Sequence, residues 1–242
     1  MRWSIVVVCT VATVALNARA GDTPPLDPFG APGADPAAPW RVSGLPQQTK
    51  PYTRFSIVEL DGKRALKVES QEAYGNLVHP LKWSTPSAHL AWQWRIDEPI
   101  PAADLRTRPG DDTALKVCVF FDLPMDRIPF ADRQLIRFAR SKTTDPVPGA
   151  TVCYVWDQNL PAGTTLDNAF TRRMRYVVVR SGPDKLRQWV SERRDVVADF
   201  QKLFADEAAG SVPPIVGIAV GADSDNTHSH SVGYVSGLAL EP

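Results

Sequence analysis

His89-Leu90-Ala91-Trp92-Gln93-Trp94-Arg95-Ile96-Asp97 alternates without interruption. Leu90, Trp92, Trp94 and Ile96 fall on one side of an extended chain, and Ala91, Gln93, Arg95 and Asp97 on the other. A period of two marks a strand with one face in a core. The stretch 113–121 repeats it, with Leu115, Val117, Val119 and Phe121 inward and Lys116 on the far side. Asp61-Gly62 between two β-rich runs, 55–58 and 65–70, signals a tight hairpin. Further strands are expected over 76–81, 151–157, 173–181, 215–222 and 231–240. Two segments break the rhythm. Residues 130–140 space Phe130, Leu135, Phe138 and Ala139 as the inner face of a helix, with Arg133, Arg137 and Arg140 outward. Residues 195–204 place Val196, Val197, Phe200, Leu203 and Phe204 on one face behind Asp195, a plausible N-cap. The stretch 186–190 reads either as a strand or as an earlier turn of that helix. Nine short strands, two short helical insertions and no βαβ rhythm predict a mainly β fold, a jelly-roll-like antiparallel β-sandwich.

The chain has 242 residues, with 27 Lys and Arg against 27 Asp and Glu. This balance excludes a uniformly basic nucleic-acid binder. A hydrophobic share of 43% excludes a disordered chain. Met1-Arg2, an apolar run over 5–16 and Ala18-Arg19-Ala20 have the build of a secretory signal peptide over residues 1–20, cut after Ala20. The expectation is a periplasmic or secreted protein; the alternative is an uncleaved anchor. No later stretch reaches the roughly 18 apolar residues of a membrane span. Pro24, Pro25, Pro28, Pro32 and Pro36 make 21–38 read as an extended tether, leaving 39–242 as the sandwich domain. Charge is unevenly spread: net +6 over 172–194, −4 over 97–126 and −6 over 195–242. Either these stretches neutralise one another in the fold or a basic patch remains that could meet an anionic polymer.

With Cys9 in the leader, Cys118 and Cys153 are left as an even pair, a disulfide candidate in an exported protein. Bonding requires strands that bring their Cα atoms within about 7 Å. Two buried free thiols are the alternative.

Several strings are distinctive in combination: Trp92-Gln93-Trp94-Arg95-Ile96-Asp97, Gly110-Asp111-Asp112, Tyr154-Val155-Trp156-Asp157, Val178-Val179-Arg180-Ser181-Gly182, Trp189 with Arg194-Asp195-Val196, and Ala222-Asp223-Ser224-Asp225-Asn226-Thr227. In this order they resemble the bacterial family catalogued as domain of unknown function 3047, over roughly residues 40–242. The resemblance implies an exported or envelope-associated protein with a concanavalin-A-like sandwich. It implies no established activity and supplies no catalytic residue. His228 and His230 stand where more ordinary polar residues are expected, so a histidine site would be particular to this chain.

Asp223, Asp225 and Asn226 are the densest group of oxygen ligands, able to hold a polar ligand or a Ca²⁺ ion. The EF-hand pattern is missing, and an Asx-turn explains the same residues; no cofactor is expected. Asp97, Asp122 and Asp157 end strands and are the candidate carboxylates for glycosidic chemistry. Asp111 and Asp112 are adjacent, so on a strand they would point to opposite faces. Trp92 and Trp94 share the core face, whereas Trp156 could offer a flat platform to a sugar ring. Arg95 and Lys116, on the non-core faces, are candidates to line a sheet groove; a solvated outer face is the alternative. No nucleophile elbow, phosphate loop or zincin helix is present. Three functions follow. The leading one is a non-catalytic binding module for a glycan or envelope polymer. Its rivals are a polysaccharide hydrolase or lyase working through the strand-end carboxylates, and a structural envelope protein whose helices dock a partner.

Overall fold

The computed structural model describes residues 26–143 and 147–242, so the expected leader lies outside the described residues. Along them run the strands β1 (Arg41–Ser43), β2 (Arg54–Leu60), β3 (Lys63–Gln71), β4 (Tyr74–Trp83), β5 (His89–Glu98) and β6 (Thr113–Phe121), then helix α1 (Phe130–Arg140). There follow β7 (Ala150–Asp157), β8 (Thr165–Asp167), β9 (Met174–Ser181) and β10 (Val190–Asp195), helices α2 (Val196–Leu203) and α3 (Ala205–Ala208), and finally β11 (Ile215–Asp223) and β12 (His230–Glu241). Two sheets result, a seven-stranded one in the order β1-β4-β11-β6-β7-β9-β8 and a five-stranded one in the order β10-β5-β12-β3-β2. Every pairing is antiparallel except that of β7 with β9. The fold is mainly β, a two-sheet sandwich.

The alternation of β5 and β6 builds the interior. Leu90, Trp92, Trp94 and Ile96 face Leu115, Val117, Val119 and Phe121, all buried. The tryptophans reach across the layers, Trp92 to Tyr154 at 5.3 Å and Trp94 to Trp156 at 5.8 Å between ring centroids. Trp156 is therefore part of the core, not a platform at the surface. The hairpin turn between β2 and β3 has Asp61 and Gly62 at φ 52° and 71°, the left-handed pair that a two-residue turn between twisted strands requires.

The seven-stranded sheet carries a second apolar layer on its outer face. Val78, Cys118, Cys153, Val155, Tyr176, Val178 and Ala219 pack there under Leu105 and Leu160 from the adjoining loops. All eight residues of β7 are buried. A strand covered on both faces reads as a continuous apolar run, so its second face is hidden from an alternation argument.

Further expectations are corrected, and one left open is resolved. Residues 26–38 do not form an extended tether: Leu26 and Phe29 pack on the core, Trp40 Nε1 donates to the Asp27 carbonyl at 2.7 Å, and the Gly33 amide donates to Ile57. Helix α1 does not bury the face predicted for it; Ile136 is its buried residue, while Phe130, Leu135 and Phe138 are exposed. The strand before α2 is β10, paired with β5, and its alternating exposed charges suit a sheet edge. Strands β1 and β8 and helix α3 are additional short elements. Helix α2 behaves as predicted, with Val196, Val197 and Phe200 buried and Asp195 Oδ1 accepting from the Ala198 amide at 2.9 Å.

Cys118 and Cys153 are directly opposed on β6 and β7, with Cα atoms 4.1 Å apart, and form a disulfide. The bond closes a loop over a sequence separation of 35 residues. Replacing both cysteines with alanine is expected to lower unfolding free energy by about 2–4 kcal/mol, chiefly through a less constrained unfolded chain. Urea denaturation of the oxidised protein and the double variant measures this.

Candidate functional site

The outer face of the seven-stranded sheet holds the densest chemistry. Lys116 of β6 projects there and is 1% exposed. Its Nζ lies 3.0 Å from Asp223 Oδ2 of β11 and 5.0 Å above the centre of the Tyr74 ring of β4. Asp223 Oδ1 also accepts from the Thr113 amide at 2.8 Å and from the Thr113 hydroxyl. Gly221 lies between Asn76 and Lys116 in register; a Cβ there would collide with Asn76 Oδ1. Only glycine lets Asn76 lie across the strand. Asp111 enters from the loop before β6, accepting from Tyr176 Oη at 3.2 Å and from Asn168 Nδ2.

Burial sets the electrostatics of this cluster. Loss of water and the nearby Asp223 carboxylate push the Asp111 carboxyl up to about 6, against the pull of Lys116. Burial works against the Lys116 ammonium, but the Asp223 carboxylate and the Tyr74 phenol outweigh it and hold its pKa above the ordinary value.

The two acidic motifs of the sequence meet beside this cluster. Asp112 accepts from the Asn226 amide at 3.2 Å, the Thr227 amide at 2.7 Å and the Thr227 hydroxyl at 2.5 Å. Asn226 Nδ2 donates to the Asp111 carbonyl at 3.1 Å. Asp225 is paired with Lys50 at 2.8 Å. Asp223 and Asp225 thus each hold a lysine, and Asn226 serves as the turn residue in a latch between the loop before β6 and the one after β11. Among the described residues, no three His, Cys, Asp or Glu side chains gather as a metal site. His228 and His230 instead face the carboxylates of Glu72 and Glu98.

The other nominated residues are dispersed. Arg95 binds Asp97 at 2.6 Å and Asp61 at 2.7 Å on the outer face of the five-stranded sheet. Asp122 follows β6, whereas Asp157 ends the antiparallel β7, so the two stand at opposite ends of one strand pair. Asp157 caps the following turn, accepting from the Asn159 amide at 2.7 Å and the Leu160 amide at 2.5 Å. Asp97, Asp122 and Asp157 do not share a site.

Two recesses escaped the sequence reading. The first is a cleft of about 350 Å³ between the outer face of the seven-stranded sheet and α1. Val78, Pro80, Cys118, Phe120 and Met174 line the sheet side, and Leu135, Ile136 and Ala139 the helix side. Tyr74 and Asn76 mark the end toward Lys116, and Asp132 on the helix is bound to Arg173 at 3.0 Å. Its signal in the sequence was the apolar character of the outward positions of β4 and β6. The second recess, about 340 Å³, is polar and opens between β9, β10 and α2. There Glu192 binds Arg180 at 2.6 Å and accepts from Trp94 Nε1 at 3.2 Å. Asp199 binds Arg194 at 2.6 Å and accepts from Tyr154 Oη at 2.9 Å.

The raised Asp111 has a defined consequence for stability. A carboxyl whose folded pKa exceeds its unfolded value stabilises the fold fully below the unfolded pKa, and that contribution is lost as pH rises through the folded one. The window runs from near 3.8 to about 6. Asp111→Asn removes this titration, so relative to the wild type the variant gains stability from pH 4 to pH 7, by as much as about 3 kcal/mol. Urea midpoints of both proteins across that range measure it; parallel curves contradict it.

The solved structures similar to this chain include the TmCBM61 module in complex with beta-1,4-galactotriose, at 9% identity and TM-score 0.34, covering 84% of this chain and 88% of that one. A structure from a comparison of family 12 glycoside hydrolases matches at 10% identity and TM-score 0.45, over 84% and 93% of the two chains. Endoglucanase 3 of Trichoderma harzianum, from family GH12, matches at 11% identity and TM-score 0.37, over 86% and 98%. No ligand or activity is carried over at this level of likeness. No curated protein matches the sequence. Residues 38–239 match the family model described as "Protein of unknown function (DUF3047)", and the chain belongs to that family.

Proposed function

We propose that this protein is a non-catalytic binding module of the cell envelope that takes the apolar part of its ligand into the cleft under α1. The observation that carries this reading is the lining of the cleft. Aliphatic, aromatic and disulfide surfaces dominate it, and a few polar groups stand at its margins, Tyr74 and Asn76 on one side and Asp132 and Arg173 on the other, the composition of a small-molecule site. Its volume of about 350 Å³ lies at the lower end of the range for such sites. The carboxylates nominated for glycosidic chemistry do not line it.

One observation favours a second reading. The polar recess beside β10 is lined by Glu192, Arg193, Arg194, Asp199 and Lys202, a set of hydrogen-bonding groups suited to the hydroxyls of a sugar. A glycan would be held there, away from the cleft.

Binding of cis-parinaric acid, followed by its fluorescence, tests the first reading. Wild type is expected to bind it saturably. Ala139→Trp, which fills the cleft from the helix side, is expected to weaken binding by about tenfold or more, since that volume is then closed to the ligand. Unchanged affinity in a variant of unchanged melting temperature overturns the reading. Saturable oligosaccharide binding that Arg193→Glu abolishes would establish the second, and polysaccharide turnover would refute a non-catalytic role.

A further inference from the structure

The outward face of α1 borders the cleft at Leu135 and is left uncovered by the described residues. Phe130, Leu135 and Phe138 are 69%, 61% and 63% exposed, three of the seven large apolar side chains left exposed among the described residues. At 100° per residue they fall within an arc of about 140° on the helix. Leu45, also exposed, stands across the mouth of the cleft from Leu135 and extends the patch.

Charge identifies what this face suits. From Phe130 to Lys142 the chain carries Arg133, Arg137, Arg140 and Lys142 against Asp132 alone, a net +3. Asp132 is already bound to Arg173. The cations are placed with the rings: the Arg133 guanidinium lies 5.6 Å from the centre of the Phe130 ring, and Lys142 Nζ 5.5 Å from that of Phe138. Each exposed ring therefore has a cation beside it. An apolar stripe flanked by arginine and lysine is what a helix lying in a membrane interface presents, rings at the acyl boundary and cations at the phosphates. A second copy of the chain on a two-fold axis would set this net +3 against itself.

We propose that α1 is a docking surface for an anionic lipid bilayer, on which the protein sits peripherally with the mouth of its cleft beside the membrane. Among the described residues no helix is long and apolar enough to cross a membrane, so attachment through α1 is interfacial. The docking face shares Leu135 and Leu45 with the mouth of the cleft, and stands on Phe130 and Phe138 whether or not the cleft takes a ligand.

Co-sedimentation of the full chain with vesicles of phosphatidylglycerol and phosphatidylcholine tests the proposal. Wild type is expected to bind the mixed vesicles, to bind pure phosphatidylcholine far less, and to be released by salt. Phe130→Glu with Phe138→Glu changes two side chains that face solvent and do not line the cleft, and is expected to weaken binding by about tenfold or more while melting unchanged. Arg137→Glu with Lys142→Glu is expected to weaken it several-fold and to flatten its salt dependence. Wild-type affinity in the double phenylalanine variant, or no binding by wild type at any composition, overturns the proposal. So does self-association in sedimentation velocity that the phenylalanine variant abolishes while vesicle binding persists. Parinaric acid separates the two readings. Protein that binds vesicles but not the probe leaves docking standing and refutes the cleft; the reverse result refutes docking alone.

Discussion

Cys118 and Cys153 face away from the interior of the sandwich, and so do Val155 and Val178 on the neighbouring positions of β7 and β9. A sheet that is apolar on both faces has to be covered on both, because exposed apolar area costs about 25 cal/mol per Å². The five-stranded sheet covers one side with its row of tryptophans. Among the described residues there is no third sheet for the other. Loops carrying Leu105 and Leu160 cover it at the β7 and β9 end, and α1 only partly roofs it at the β4 and β6 end. The cleft is the part of the outer face that this second cover leaves open.

That arrangement brings polar groups under the cover as well. A lysine in the middle of β6 would be solvated if the outer face were open; under the loops it has to be paired. Asp223 pairs it, the Thr113 amide and hydroxyl complete Asp223, and Asp112 ties the Asn226–Thr227 turn down over the same corner. The acidic strings that are most conspicuous in the sequence thereby become parts of one latch. Removing one partner from such a network strands another in a medium where it cannot be hydrated.

Much of the fold is legible in the sequence because one face of each main strand is apolar and the other is not. The alternation at Trp92, Trp94, Val117 and Val119 places the interior correctly, and Asp61-Gly62 places a hairpin. The same reasoning fails at Lys116, whose neighbours along the outer face are Cys118 and Phe120: a period of two assigns sides but not what covers them. It fails at α1 because spacing finds an apolar arc without saying whether that arc faces the core. The opposed charges of 172–194 and 195–242 were readable as a sum, and the structure resolves them into Arg173 and Arg175 on Glu207, Arg194 on Asp199 and Arg193 on Glu241. The cleft depends on a helix, several loops and six strands at once, and no local pattern encodes that meeting.

Once those ion pairs are made, the basic stretch of β9 and β10 is largely spent inside the molecule, and the excess positive charge that remains concentrated lies on α1. A helix of fewer than about 12–15 residues is marginal on its own and draws its stability from the apolar face it packs. Helix α1 has 11 residues, and only Ile136 among them is buried. Its position is held by contacts at its ends, such as Arg140 donating to the Val147 carbonyl, and not by the rings of Phe130 and Phe138. Packing among the described residues therefore does not account for those two side chains: replacing them with polar ones would relieve exposed apolar area at little cost to the contacts described. Burial against something outside the chain does account for them, and the cations beside each ring restrict that something to a surface that is apolar at depth and anionic at its boundary.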